Sequence, residues 1–425
     1  MINVSQRDAQ VLWHPYTQMK LSPTSIAIER GEGSYVIDEN GKQFIDAISS
    51  WWVNTHGHCH PHIVKAIQQQ AAKLEQVIFA GFTHEPAVKL AENLLPLLPN
   101  NQKKIFLSDN GSTAVEAALK MCLQFFANKG KQKNKIIAFK DAYHGDTFGS
   151  MSVSARGVFT EPFHRLLFDV IFIDTPTFEN SELVIHQFEQ AIQKHQNEIC
   201  AFIFEPLVLG SAGMLMFSPE VLNCLLSIAK AADILCIADE VMTGFGRTGK
   251  MFASEFLSIQ PDIICLSKGI TGGFLPLGAT SCTQEIFDAF WSDEKKKMLF
   301  HGHSYTGNAL ACAAAVASLE VWKNENTLEK INVIENTNQS FIEKIKAHPK
   351  VANARLQGTI AAFEVNSTNN NYLNPVKEKL VAFYLSKGLL LRPLGNTVYT
   401  LPPYCISTTD LNKIFDAIEE SLALL

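Results

Sequence analysis

Two apolar runs end in residues of opposite chemistry. Ile234-Leu235-Cys236-Ile237-Ala238 leads into Asp239-Glu240, and Ile263-Ile264-Cys265-Leu266-Ser267 leads into Lys268-Gly269. Asp239 and Lys268 stand 29 positions apart, about one crossover unit, so neighbouring parallel strands can aim both into one cavity. A lysine in apolar surroundings loses its proton readily and becomes a nucleophile. A third run, Ile105-Phe106-Leu107, is followed by Ser108-Asp109-Asn110-Gly111-Ser112-Thr113 and then a helical pattern. A glycine turn that opens a helix offers free N–H groups and a positive dipole end, which suits a phosphate. An ordinary helix cap made by Ser112 or Asn110 is equally open at this point. Taken singly, Asp239 reads as a strand-end cap and Lys268 as a surface lysine. Together with the glycine turn they match the needs of pyridoxal 5'-phosphate: an amine anchor, an acid for the ring nitrogen and a phosphate cradle.

These residues need elements to position them. From about residue 105, short apolar runs at 104–107, 135–139, 170–173, 201–204, 234–238 and 263–266 alternate with helix-length stretches such as 113–128 and 219–232. That alternation predicts an α/β architecture, a mostly parallel sheet covered by helices on both faces, with ligands outside the carboxyl ends of its strands. A helical segment at 306–323 closes the layer. Residues 26–48 alternate like strands around Asp38-Glu39-Asn40-Gly41, where Asn-Gly signals a hairpin. The tail predicts a smaller α+β unit, with strands at 361–365 and 388–392 and a helix at 409–424. The expected division is 1–54, an N-terminal segment contributing to the small domain, then a large cofactor-binding domain over 55–325, then the small C-terminal domain over 326–425.

Further motifs carry a family resemblance. Residues 135–139 are followed by Asp141-Ala142-Tyr143-His144-Gly145-Asp146-Thr147, and Asp239 by Glu-Val-Met-Thr-Gly-Phe-Gly-Arg-Thr-Gly. With Ser267-Lys268-Gly269 and Gly307-Asn308, these resemble the class III aminotransferases of fold type I over nearly the whole chain. Leu12-Trp13-His14-Pro15-Tyr16-Thr17-Gln18-Met19, Ser50-Trp51-Trp52 and Leu391-Arg392-Pro393-Leu394-Gly395-Asn396 resemble the members that serve biotin biosynthesis. Those transfer an amino group from S-adenosylmethionine to 8-amino-7-oxononanoate by a ping-pong mechanism.

The resemblance implies roles. Lys268 anchors the cofactor and shuttles a proton, Asp239 faces the ring nitrogen, Tyr143 stacks on the ring, and Gly111 and Ser112 hold the phosphate. Glu205 lies where relatives carry an acid near the cofactor. Ser304, in His301-Gly302-His303-Ser304, is expected to bind the phosphate from the neighbouring subunit, so a homodimer with shared sites is implied, and Gly302 is expected among the substrate-binding residues. Many relatives carry threonine where this chain has Ser304. Arg392 is the expected carboxylate clamp, since its planar fork grips both oxygens. Tyr16, Trp51, Trp52 and Asp146 line the substrate pocket, the aromatic rings offering apolar walls and a cation–π face for a sulfonium. By residue type alone the two tryptophans read as core, and only the resemblance moves them to the pocket. Arg247 is expected near the site, either pairing with Asp146 or holding its loop. A lysine donor, a general ω-aminotransferase and a non-catalytic cofactor-binding protein are the alternatives.

Composition narrows the class. The chain has 425 residues, 47% of them apolar, enough for a large core, and its 36 Lys plus Arg against 42 Asp plus Glu leave no basic excess for a nucleic acid. Lys295-Lys296-Lys297 follows Asp293-Glu294 and is neutralised locally. Nine scattered cysteines without paired spacing suggest free thiols in the cytoplasm. The opening eight residues lack a targeting pattern, and no apolar run is long enough for a membrane helix. His56-Gly57-His58-Cys59-His60-Pro61-His62 offers five metal-ligating side chains. It has no second cluster at finger spacing, and no metal is expected there.

Overall fold

The computed structural model describes residues 3–366 and 374–425; Met1 and Ile2 of the opening run lie outside the described residues. The strands, in chain order, begin with β1 (Ile28–Glu32), β2 (Tyr35–Asp38) and β3 (Gln43–Asp46), then β4 (Gln102–Ser108), β5 (Lys135–Phe139), β6 (Ile171–Ile173) and β7 (Ile199–Phe204). A short ribbon, β8 (Val208–Leu209) and β9 (Leu215–Met216), precedes β10 (Leu235–Asp239), β11 (Ile263–Leu266) and β12 (Gly278–Thr283). Last come β13 (Val351–Gln357), β14 (Ile360–Val365), β15 (Leu389–Leu390) and β16 (Thr397–Thr400).

Seven of these form the central sheet, ordered β4-β12-β11-β10-β7-β5-β6. All six apolar runs become strands that point the same way, while β12 is antiparallel to both its neighbours. Hydropathy misses β12 because it reads Gly-Ala-Thr-Ser-Cys-Thr. Its hydroxyls are satisfied internally: Thr280 Oγ1 donates to the Ala114 carbonyl and Ser281 Oγ to Gln102 Oε1, both at 2.8 Å.

The parallel strands are apolar throughout because helices cover both faces. In β11, Ile263 and Cys265 pack with Val115, Cys122 and Phe126 of the helix Gly111–Asn128. Ile264 and Leu266 turn the other way, into a cluster with Leu90, Phe188, Leu225 and Ala315 from four other helices. The helix expected at 306–323 is Ala309–Asn324, begun by Asn308, whose side chain accepts from the Ala311 N–H at 3.0 Å.

The Asn-Gly signal marks a real hairpin between β2 and β3. Its loop is held by Asp38 Oδ1, which accepts from the N–H groups of Asn40 and Lys42, and Gly41 supplies the left-handed turn at φ 82°. This hairpin does not stand alone. β3 pairs in parallel with β15 from the C-terminal part, Ile45 opposite Leu389 and Asp46 opposite Leu390. Ile45 and Ala47 share a separate core with Ile331, Phe363, Leu380 and Ile414. Residues from both ends of the chain thus meet in one core. No helix among the described residues is long and apolar enough to cross a membrane.

Candidate active site

The carboxyl ends of five parallel strands open into one cavity of about 740 Å³, within the range of small-molecule sites. Asp239 closes β10, and its register partner on β11 is Cys265. Lys268 follows three residues later, so adjacent strand ends deliver both side chains to the cavity wall. Burial pushes the Lys268 amine below its ordinary range, opposed by the nearby carboxylates of Asp239 and Glu205. Its Nζ lies 4.9 Å from the centre of the Trp52 ring. Asp239 is 4% exposed. Its Oδ2 lies 2.7 Å from His144 Nδ1, and its Oδ1 accepts from the Val241 N–H at 3.1 Å.

Glu205 follows β7, between the ends of β10 and β5. Its two oxygens accept from the N–H groups of Tyr143 and Gly210, each at 3.0 Å. Burial pushes its carboxyl up to about 7. Beyond β5, Tyr143 enters the cavity with a hydroxyl raised by burial and by its hydrogen bond to Tyr16. The Tyr16 hydroxyl also donates to Asp146 Oδ2.

At the opposite side, β4 leads to Gly111 and the start of its helix. Asn110 is the cap: its side chain accepts from the Thr113 N–H at 3.0 Å and its N–H donates to Thr113 Oγ1. The cap leaves the amides of Gly111 and Ser112 in the first turn, where no helical carbonyl reaches them. Both border the cavity. Glycine is required at 111, since a Cβ there would stand 2.7 Å from Val241 Cγ1.

Residues 16–422 match the family described as Aminotransferase class-III. The chain belongs to the class III aminotransferases. It is 48% identical to the adenosylmethionine-8-amino-7-oxononanoate aminotransferase of Synechococcus elongatus, over 97% of this chain and 98% of that one. The protein of the same name from Geobacter sulfurreducens is 38% identical over 98% and 96%. Among solved structures, the enzyme of that name from Methanocaldococcus jannaschii superposes with a TM-score of 0.94 at 36% identity, covering 99% of this chain and 98% of that one. An omega transaminase from Pseudomonas jessenii in complex with PMP gives the same TM-score at 28% identity, over 99% and 98%.

Within this class III scaffold the structure gathers Tyr16, Trp51, Trp52, Gly111, Ser112, Tyr143, Asp146, Glu205, Asp239 and Lys268 around one cavity. The tryptophan pair divides. Trp52 is 4% exposed, its indole N–H donating to the Tyr399 hydroxyl at 2.9 Å, whereas Trp51 is 41% exposed and packs on Tyr16 with ring centres 5.7 Å apart. Arg392 stands outside the lining at the mouth, its guanidinium 5.9 Å from the Trp51 ring centre.

Arg247, Gly302 and Ser304 stand away from the cavity lining. Arg247 lies outside the cavity lining, 1% exposed, and does not pair with Asp146, which takes the Tyr16 hydroxyl instead. Its guanidinium donates to the carbonyls of Pro402 at 3.1 Å and Trp52 at 3.2 Å, so it holds the loop rather than facing the pocket. Gly302 and Ser304 also lie outside this cavity; the Ser304 carbonyl accepts from Gln76 at 3.0 Å. The histidines at 56–62 diverge, each to its own partner: His56 to Ser318, His58 to Asp46, His60 to Glu325 and His62 to Glu320.

Sequence reasoning gave no role to His144, although it lay inside the quoted Tyr-His-Gly-Asp motif. It also passed over Phe159, which borders the cavity and meets the Tyr16 ring edge-on at 5.6 Å. No local pattern marks a lone phenylalanine in a loop, and only proximity to Tyr16 reveals it.

Proposed function

We propose that the chain transfers an amino group from S-adenosylmethionine to 8-amino-7-oxononanoate, yielding 7,8-diaminononanoate for biotin synthesis, with pyridoxal 5'-phosphate as cofactor. The observation that carries the reading is the cavity's make-up: a half-buried lysine, a held carboxylate and a helix N-terminus share its wall, with Tyr16 and Trp51 at an aromatic mouth. The near-full-length likeness to aminotransferases named for these substrates supports it.

The donor set fits the cofactor: an amine of lowered proton affinity for its aldehyde, a carboxylate for its ring nitrogen and two first-turn amides for its phosphate. When bound, the cofactor supplies an aldehyde that takes up the amino group and a ring that draws off an electron pair. Lys268, with its proton easily lost, holds and returns a proton at the substrate carbon. Asp239 would hold the cofactor at its ring nitrogen, and the His144 ring keeps that carboxylate in place. Tyr143, which borders the cavity, would support the ring. Trp52 and Leu277, both buried, keep water from the inner wall of the cavity. Arg392 grips the acceptor's carboxylate while Trp51 and Tyr16 flank its alkyl chain and offer π faces to the donor's sulfonium.

The same reading makes the enzyme a homodimer, with Ser304 of each copy completing the phosphate end of the other's site and Gly302 among the substrate-binding residues. It keeps the division into 55–325 and 326–425, with 1–54 joined to the second.

The experiment is a donor half-reaction on purified holoenzyme, following loss of the cofactor's yellow absorbance. Conversion by S-adenosylmethionine, reversed by 8-amino-7-oxononanoate, is the expected result. Conversion by lysine alone would change the donor. Conversion only by ornithine or glutamate, with the oxo acid inert, would move the chain to the general ω-aminotransferases.

A further inference from the structure

The turn that carries both tryptophans has a backbone that residues with side chains avoid. Ser49, Ser50 and Trp52 have positive φ of 51°, 62° and 66°. Ser50 combines φ 62° with ψ −93°, a region populated almost entirely by glycine. Such conformations persist only where the surroundings over-determine them.

Asp46, at the end of β3, supplies that constraint. Its side chain is fully buried, with Oδ1 accepting from the Ile48 N–H at 3.2 Å and Oδ2 from the Ser50 N–H at 2.6 Å. Oδ2 is also 2.9 Å from His58 Nε2, while His58 Nδ1 lies 3.0 Å from the Asn54 amide nitrogen. This pattern assigns the ring proton to Nε2, so His58 donates to Asp46. One carboxylate therefore gathers two backbone amides and an imidazole around the turn. Asp46 also pairs with Leu390 of β15, and the Ala47 N–H donates to the Leu390 carbonyl at 3.1 Å. Parallel strands leave a sheet at the same end, so Trp51 after β3 and Arg392 after β15 emerge side by side.

We propose that Asp46 is a positioning residue for the substrate pocket: its carboxylate holds the 49–52 turn in its strained form and so sets Trp51 and Trp52 against the cavity. The inference rests on reading that cavity as the site of the acceptor.

The test compares wild-type holoenzyme with D46N and with D46N/S50G. Asparagine keeps one acceptor oxygen but turns an NH2 towards groups that themselves donate. We expect the KM for 8-amino-7-oxononanoate to rise about tenfold in D46N, the size of the strain no longer restrained. Expected alongside are a kcat within about twofold of wild type and unchanged cofactor absorbance. In the double variant glycine adopts the turn without strain, and much of the KM returns. A purely structural Asp46 would lower Tm and the yield of active enzyme without moving KM. An unchanged KM in D46N, or a raised KM that S50G leaves untouched, overturns the proposal. Should D46N not fold, H58A removes one donor and keeps the carboxylate. A rise in KM of about threefold then supports the proposal and an unchanged KM defeats it. If wild-type enzyme leaves the oxo acid unreacted and uses another acceptor, the functional reading fails. The same KM comparison with that acceptor still decides the role of Asp46.

Discussion

His144 and Asp239, 95 positions apart in sequence, share a 2.7 Å hydrogen bond between a fully buried imidazole and a nearly buried carboxylate. They arrive from β5 and β10, which are not neighbours; β7 runs between them. The bond gives Asp239 a fixed orientation towards the cavity. Replacing His144 by phenylalanine keeps the volume apolar and removes the donor. We expect H144F to lose about 10- to 100-fold in the donor half-reaction rate, the worth of a hydrogen bond to a charged group, and D239N to lose more. Stopped-flow absorbance on both variants checks this; a wild-type rate in H144F would show that Asp239 needs no such partner.

Lys268 combines a desolvated amine with a reactive position, and K268R separates charge from nucleophilicity. Arginine stays protonated and forms no bond to an aldehyde. Turnover should fall by about 10³-fold or more. Borohydride treatment followed by peptide mass analysis should attach the cofactor to the Lys268 peptide in wild type and to no peptide in the variant. Attachment at another lysine in wild type would sink the assignment.

Trp51 and Trp52 should behave differently although adjacent. W52A empties a buried site beside Leu207, Met242 and Tyr399 and should cost about 3–5 kcal/mol. W51A removes a half-exposed ring and should leave the unfolding free energy within about 1 kcal/mol of wild type, while raising the KM for the oxo acid more than it weakens cofactor binding. Chemical denaturation and steady-state kinetics read the two effects. Equal losses of stability would contradict the division of the pair.

Glu205 carries a pH signature in the apoprotein. Its folded carboxyl titrates at about 7 against an ordinary 4.5, so between those values the folded state holds a proton that the unfolded state has released. The stability present below about 4.5 is therefore lost as pH rises through 7. E205M has no such group, and its two freed amides impose a cost that does not vary with pH. The Tm difference, variant minus wild type, should move in the variant's favour between pH 4.5 and pH 8. A flat difference would place the Glu205 carboxyl in its ordinary range.

Much of the central sheet was legible. Residues 135–139 and 263–266 form strands with the expected ends, and the other four apolar runs shift by one or two residues. A strand buried on both faces is apolar whichever way its side chains point, so hydropathy finds it without knowing the fold. Strand β12 escaped because small hydroxyl residues fill its place, and their partners, Ala114 and Gln102, come from distant segments. In the C-terminal part, the strands near 361–365 and 388–392 were expected, whereas β13 and β16 were not marked.

The sequence by itself determined the family, the sheet-forming runs and the residues that end them, since strand, turn and motif signals are local and chemistry clusters at strand ends. Tertiary structure alone decided what those residues touch. It sent Arg247 into the core to hold the carbonyls of Trp52 and Pro402, turned Trp52 inward and Trp51 outward, and joined His144 to Asp239 across an intervening strand. The reason is physical: a hydrogen bond or an aromatic contact depends on distances of a few ångströms, and between residues a hundred positions apart only the packing of the whole chain sets them.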